Sequence, residues 1–252
     1  MAARRPWRST DPEVIGWQEY GAQLPIVLRR MCAQVRVLPY AIPRLPGARS
    51  RPPPALARTP EAKEWIVDTR RALDRHGMDD VWRYHSLRTW QFASALADVE
   101  ESVLDREALY VAALLHDIGM FVTPAEDESF AKAGARLAQE IAEGAGVGRD
   151  KADMVERAID SHISMEPGNA LGKYIQFGSL LDLTATGIWK LDRSLVDQIY
   201  LEWRRTGLPS ELRKRWLAEC KRLPHGRAAY ARCPGALLLA NRCAVSLPDR
   251  NT

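Results

Sequence analysis

An apolar run of eight residues, Ala108-Leu-Tyr-Val-Ala-Ala-Leu-Leu115, ends directly on His116-Asp117. The run reads as a helix buried inside a fold, so other elements must surround it. An imidazole and a carboxylate at its end are costly to desolvate unless something compensates them. A divalent metal ion is the compensation that would use both side chains at once. The run therefore asks two things of the rest of the chain: a covering of further elements, and further ligands.

The covering is predicted to be helical. Thr59-Pro60 has the form of an N-cap followed by a first helical residue, for a helix to His76 that Gly77 ends. A second helix is predicted from Trp82 to Val99. Asp105 can cap a third, running through Asp117. Ser129 can cap a fourth, with Ala133, Leu137 and Ile141 on one face, ending at Gly144; Asp150 can cap a fifth, ending at His162. A sixth spans Ala170 to Thr186, and more are predicted near 194–204, 210–221 and 226–243. No sustained alternating Val/Ile/Thr run marks a strand, and no repeat is present. The expected fold is an all-α helical bundle over residues 59–252. Ahead of it, residues 1–58 carry one predicted helix, about Asp11 to Val37, and a Pro/Arg-rich connector. Seven prolines from Pro39 to Pro60 exclude a helix interior or a central strand there.

At 252 residues the chain is long enough to bury a sizeable core. No stretch approaches the roughly 18 apolar residues of a membrane helix. No apolar segment follows the basic start Met-Ala-Ala-Arg-Arg, so a secretory signal is not expected. The net charge of +4 is mild. Its basic clusters are Arg44 to Arg58, Arg204-Arg205, and Arg213 to Arg222. They are expected to be solvated surface rather than a nucleic-acid interface, because no interleaved aromatics or nucleic-acid motif accompany them. A basic rim could still steer an anionic substrate. Cys32, Cys220, Cys233 and Cys243 form no CxxC pair. That spacing fits reduced thiols of a cytoplasmic protein and argues against a thiolate zinc site.

Of five histidines, three fall on apolar faces of predicted helices. His85 shares a stripe with Thr89, Phe92 and Leu96; His116 lies over Leu109, Ala112 and Ala113; His162 lies over Val155, Ala158 and Ile159. A lone inward histidine is ordinarily a hydrogen-bonded core residue. Three on separate helices, with Asp117 beside one of them, point to a shared metal. Asp182, within the segment Gly178-Ser-Leu-Leu-Asp-Leu183, is the candidate for the last ligand. The expected set is thus His85, His116, Asp117 and Asp182, a mixed nitrogen and oxygen site for one divalent ion. Zinc comes first, with iron, manganese and cobalt as alternatives. Adjacent helical residues point about 100° apart. His116 and Asp117 can therefore share an ion only at a helix end, which Gly119 permits.

The ordered set His85, His116-Asp117 and Asp182 resembles the HD-domain superfamily of metal-dependent hydrolases. The flanking residues resemble its cyanamide-hydratase-like branch: His85-Ser-Leu-Arg-Thr-Trp90, Tyr110-Val-Ala-Ala-Leu-Leu-His-Asp-Ile-Gly119 and Ser161-His-Ile-Ser164. The likeness covers roughly residues 60 to 190. The branch commonly carries Phe-Glu after the HD segment; here Phe130 is followed by Ala131. The extra histidine pair of dinuclear members is also absent. The resemblance therefore implies a mononuclear site, and not a di-iron oxygenase or a cyclic-dinucleotide enzyme.

A metal held there would acidify a water molecule for attack. His162 is the expected catalytic acid/base, since a neutral imidazole suits proton transfer. Ser86, Arg88, Lys132 and Phe121 are the candidate substrate contacts, although the structural reading comes first for Arg88 (a salt bridge between helices) and for Lys132 (an exposed surface lysine), and Phe121 could equally be core. Asp160, two residues before His162, is expected to point away to the surface. The function expected is hydrolysis or hydration of a small C–N compound such as a nitrile, cyanamide or amide. The alternatives are a phosphohydrolase of a nucleotide or phosphomonoester, and a non-catalytic HD-fold binding module. The partner expected is a small molecule, with neither nucleic acid nor membrane; self-association as a homo-oligomer is left open.

Overall fold

A computed structural model of the protein describes residues 55–164 and 166–232. The predicted helix Asp11–Val37, nearly all of the Pro/Arg-rich connector, Cys32, Cys233, Cys243 and the part of 226–243 beyond Arg232 lie outside the described residues. Within them every regular element is helical: α1 Glu64–Arg75, α2 Asp80–Val99, α3 Arg106–Leu115, α4 Phe130–Gly144, α5 Arg149–Ser161, α6 Ala170–Thr184, α7 Arg193–Glu202, α8 Leu208–Arg222 and α9 Arg227–Arg232. Short 3-10 turns occupy Ile118–Met120 and Ile188–Lys190.

The apolar run is α3, and all eight of its residues from Ala108 to Leu115 are buried. The helices α1, α2, α4, α5 and α6 pack around it, which is why no polar face was needed in the run. The tightest pairing joins α2 to α6. There a Cβ at Gly178 would sit 2.4 Å from the Thr89 carbonyl oxygen, so only glycine lets the two backbones meet.

Local caps set several of the helix starts. Asp105 accepts hydrogen bonds from Glu107 N and Ala108 N, and Ser129 Oγ accepts one from Lys132 N. Three expectations fail. Thr59-Pro60 does not open α1, which begins at Glu64 after an approach without regular structure. Gln91 of α2 holds that approach, accepting from Ala57 N at 2.9 Å and donating to Ala57 O at 3.1 Å. This tertiary grip overrides the local cap signal. Asp150 lies in the first turn of α5 rather than capping it, with Gly148 as the N-cap. The third helix ends at Leu115, two residues short of Asp117. Among the described residues no helix is long and apolar enough to cross a membrane. Cys220 is buried and forms no disulfide among the described residues.

Candidate metal centre

The early end of α3 makes the site. His116 keeps helical angles, Asp117 turns to φ −106° and ψ 3°, and the 3-10 turn follows. This bend brings the Asp117 carboxylate to 3.1 Å from His116 Nε2, which a continuing helix would not allow. Gly119 contributes space rather than a left-handed backbone, since it is not among the positive-φ residues. A Cβ on it would lie 1.7 Å from the Phe130 carbonyl oxygen and 2.9 Å from Gly134 N. The turn is therefore pressed against the start of α4.

Three imidazoles aim one nitrogen each at Asp117. His85 Nε2 is 3.3 Å and His116 Nε2 is 3.1 Å from Asp117 Oδ2, and His162 Nε2 is 3.5 Å from Oδ1. Each ring is tethered at its other nitrogen. His116 Nδ1 lies 2.8 Å from Ala113 O, His162 Nδ1 2.6 Å from Ile159 O, and His85 Nδ1 2.6 Å from Asp182 Oδ2. A carbonyl oxygen only accepts, so Nδ1 of His116 and of His162 is the donor, and a ring uncharged in that tautomer presents a lone pair at Nε2. Those lone pairs face a carboxylate, which also only accepts. Although Asp117 is close, His116 Nε2 is buried without a hydrogen-bond partner. Donor atoms of His85, His116 and Asp117 lie within 4.8 Å of one another. A cation bound by all three would satisfy them together, so the residues fit a divalent metal ion. His162 falls outside that triad and faces the second oxygen of Asp117.

The electrostatics suit a cation. Burial would raise the Asp117 pKa; protons on the surrounding imidazole nitrogens of His116, His162 and His85 would offset that and hold it well below the usual carboxylate range, a part a bound cation takes over when those nitrogens offer lone pairs. Burial pushes His116 down. It opposes charge on His85 too, yet the bonds to Asp117 and Asp182 outweigh it and raise that pKa. A metal at His85 Nε2 therefore competes with a proton there.

Asp182 is not placed as the fourth ligand that the sequence suggests. It sits behind His85, on the Nδ1 side of the ring, and the two ring nitrogens point in nearly opposite directions. Both its oxygens are also committed. Arg88 grips them as a fork, at 2.8 Å to Oδ1 and 2.9 Å to Oδ2, and Arg205 Nε lies 3.2 Å from Oδ1. Asp182 thus orients His85 and fixes its tautomer. The side chain of α6 on the Nε2 side is Ser179, one turn earlier, whose Oγ lies 3.5 Å from His85 Nε2.

The candidate substrate contacts fare differently. Arg88 is fully buried, and its Nη1 donates to Trp203 O and Arg204 O at 3.2 and 2.7 Å, so with the fork on Asp182 four of its five N–H donors are already committed to the protein. Lys132 is exposed on α4, in the field of Glu128, not in the buried site. Ser86 is buried with its hydroxyl unpartnered. Phe121 is half-buried and stands one layer out: its ring meets Trp82 at 5.9 Å, and Trp82 meets His85 at 6.0 Å. Phe130 is nearer, with its ring 5.6 Å from that of His162. Ala131 lies in an apolar cluster with Phe130, Cys220 and Ala228.

Asp160 corrects another expectation. It is only 2 % exposed and forms an ion pair at 2.7 Å with Arg227 of α9, which covers that side of α5. Nor is the basic C-terminal run simply solvated surface. Arg205 reaches Asp182, Arg215 stacks 3.7 Å over the Phe121 ring, and Arg222 pairs with Glu219. Sequence reasoning missed Ser179, Trp82, Arg205 and Arg227. The first two stand one turn from Asp182 and His85, a spacing that could have drawn attention to them. The arginines carry no local signal.

One family, described as HD domain, matches residues 82–214, just over half of the chain and inclusive of His85, His116, Asp117, His162 and Asp182. No curated protein matches the chain.

Proposed function

Because the chain belongs to the HD-domain family, whose members are generally metal-dependent hydrolases, we propose that it hydrolyses or hydrates a small C–N compound. A nitrile, a cyanamide or an amide-like molecule is the substrate class, as in the cyanamide-hydratase-like branch it resembles. The observation that carries this reading is the convergence of His85, His116 and Asp117, with their rings tethered from behind. When bound there, a divalent ion, zinc before iron, manganese or cobalt, would acidify water and polarise the group under attack. His85, His116 and Asp117 would hold the ion with three protein ligands, as catalytic sites that keep a position for water or substrate do.

The chain's own residues supply the rest. His162 stands beside Asp117 but outside the ligand triad, with its Nε2 lone pair facing inward. It can take a proton from water and return it to the substrate nitrogen. Asp182 holds His85 in one tautomer, and Arg88 and Arg205 hold Asp182. Trp82 and Phe130 pack edge-on against His85 and His162 and exclude bulk water.

The arginines favour an uncharged substrate over a phosphoester. A phosphate site needs cationic donors aimed at the reacting group. Arg88 and Arg205 are turned onto Asp182, and Arg227 onto Asp160.

The test is turnover by zinc-, iron-, manganese- and cobalt-reconstituted protein on cyanamide, nitriles, formamides and nucleotides. The reading expects turnover of a nitrogen compound, and about a 10²–10⁴-fold loss in His162→Ala with metal retained. Phosphate release with no turnover of the nitrogen compounds would overturn it.

A further inference from the structure

Beyond residue 214 the chain leaves the family-matched segment, yet it returns to the centre. The last turns of α8 and the start of α9 lie across the beginning of α4 and the end of α5. Glu219, buried, accepts from Phe130 N at 3.0 Å while Arg222 holds its carboxylate at 2.8 Å. Trp216 sets its ring 6.0 Å from Phe130 and donates Nε1 to Ala228 O at 3.1 Å. Arg227 follows directly before Ala228.

His162 needs outside support. Helix α5 ends at Ser161, so the imidazole stands on the first residue past the helix. Its Nδ1 is tethered only to Ile159 O of the same helix end. The aim of Nε2 therefore follows the backbone of residues 159–164. Arg227 spans that backbone. Its Nη1 donates to Asp160 O at 2.7 Å and to Ser164 Oγ at 2.9 Å, and its Nη2 donates to Asp160 Oδ1 at 2.7 Å. The contacts fall two residues before His162 and two after it. From the other side, Gln176 Nε2 donates to His162 O at 3.0 Å and Ser164 O at 2.6 Å. Arg227 and Asp160 are each 2 % exposed. A buried pair of this kind adds little net stability over an apolar pair of similar volume.

We infer that Arg227 is a positioning residue, supplied from outside the family-matched segment, which aims His162 at the metal centre. The inference rests on the proposed role of His162, but its readout does not require turnover. The measurement is the ring ¹⁵N spectrum of His162 and amide hydrogen exchange over residues 161–164. It compares the full chain with Arg227→Met, Arg227→Lys and Ser164→Ala. Leu73→Ala, in the core of α1, is the control for general destabilisation.

In the wild type His162 should show one tautomer with a protected Nδ1–H. Arg227→Met should mix the tautomers and speed exchange at 161–164 about tenfold relative to α3. Arg227→Lys and Ser164→Ala should do the same to a smaller degree, and they carry the test if Arg227→Met does not fold. Unchanged His162 signals in the folded Arg227 and Ser164 variants would overturn the inference, and so would an equal change in Leu73→Ala. Zinc content of the same samples should stay unchanged, since His85, His116 and Asp117 are untouched. A wild type that binds no zinc would count against the metal reading and leave the His162 spectrum to judge Arg227.

Discussion

Replacing Asp182 by asparagine separates an orienting carboxylate from a ligand. Asp182 is fully buried and holds His85 Nδ1 at 2.6 Å and Arg88 at 2.8 and 2.9 Å. Asparagine keeps the shape and one acceptor oxygen, but its amide group faces a guanidinium and the negative charge is gone. Leaving a buried charge uncompensated costs about 3–5 kcal/mol. At about 2–4 °C per kcal/mol for a domain of this size, Tm should fall by roughly 6–20 °C. Metal binding should survive in weakened form. A carboxylate behind a ligating histidine typically contributes 10–100-fold in affinity, about 1.4–2.7 kcal/mol. The assays are thermal melts and competitive zinc titration against a chromophoric chelator, with Asp117→Asn alongside. Asp117→Asn should lose the metal; Asp182→Asn should keep it more weakly. A folded Asp182→Asn that loses metal as completely as Asp117→Asn would make Asp182 a ligand rather than an orienting group.

Gly119→Ala should destabilise the domain by about 3 kcal/mol or more, because its Cβ would meet the Phe130 carbonyl at 1.7 Å and neither backbone can yield cheaply. Denaturant melts check this, and a loss under about 1 kcal/mol would mean that the turn is not pressed on α4. Glu100 accepts from Lys173, Lys190 and Tyr174, which hold its carboxyl down to about 2 from 4.5. A depressed carboxylate pKa gives stability that is present above the unfolded value and lost as pH falls through the folded one. Glu100→Gln should therefore be less stable than wild type at pH 7, by about 1 kcal/mol or less given the partly exposed lysines. The gap should close between about pH 4.5 and 2; a pH-independent gap would refute the ionic origin.

The sequence carried what local physics could carry. Asp105 and Ser129 are caps whose geometry follows from their own neighbours, and both cap their helices. His116-Asp117 was legible as a site because desolvating two polar groups at a buried helix end is costly wherever the helix docks. Asp182 was legible as important but not as an orienting group. Whether Asp182 or Ser179 reaches the Nε2 side of His85 depends on how α6 docks on α2. That docking is set by the close approach of Gly178 to Thr89. Arg205–Asp182 and Arg227–Asp160 join residues 23 and 67 positions apart, with no periodicity to announce them. Thr59-Pro60 failed for the converse reason: a sound local cap lost to the hold of Gln91 on Ala57.

His85, His116 and Asp117 are expected to hold a divalent ion together. Metal content of purified protein reconstituted with zinc tests it most directly, with His116→Ala as the comparison. About one equivalent is expected in the wild type and little in His116→Ala. Less than about half an equivalent in the wild type, or the same content in both proteins, would contradict it.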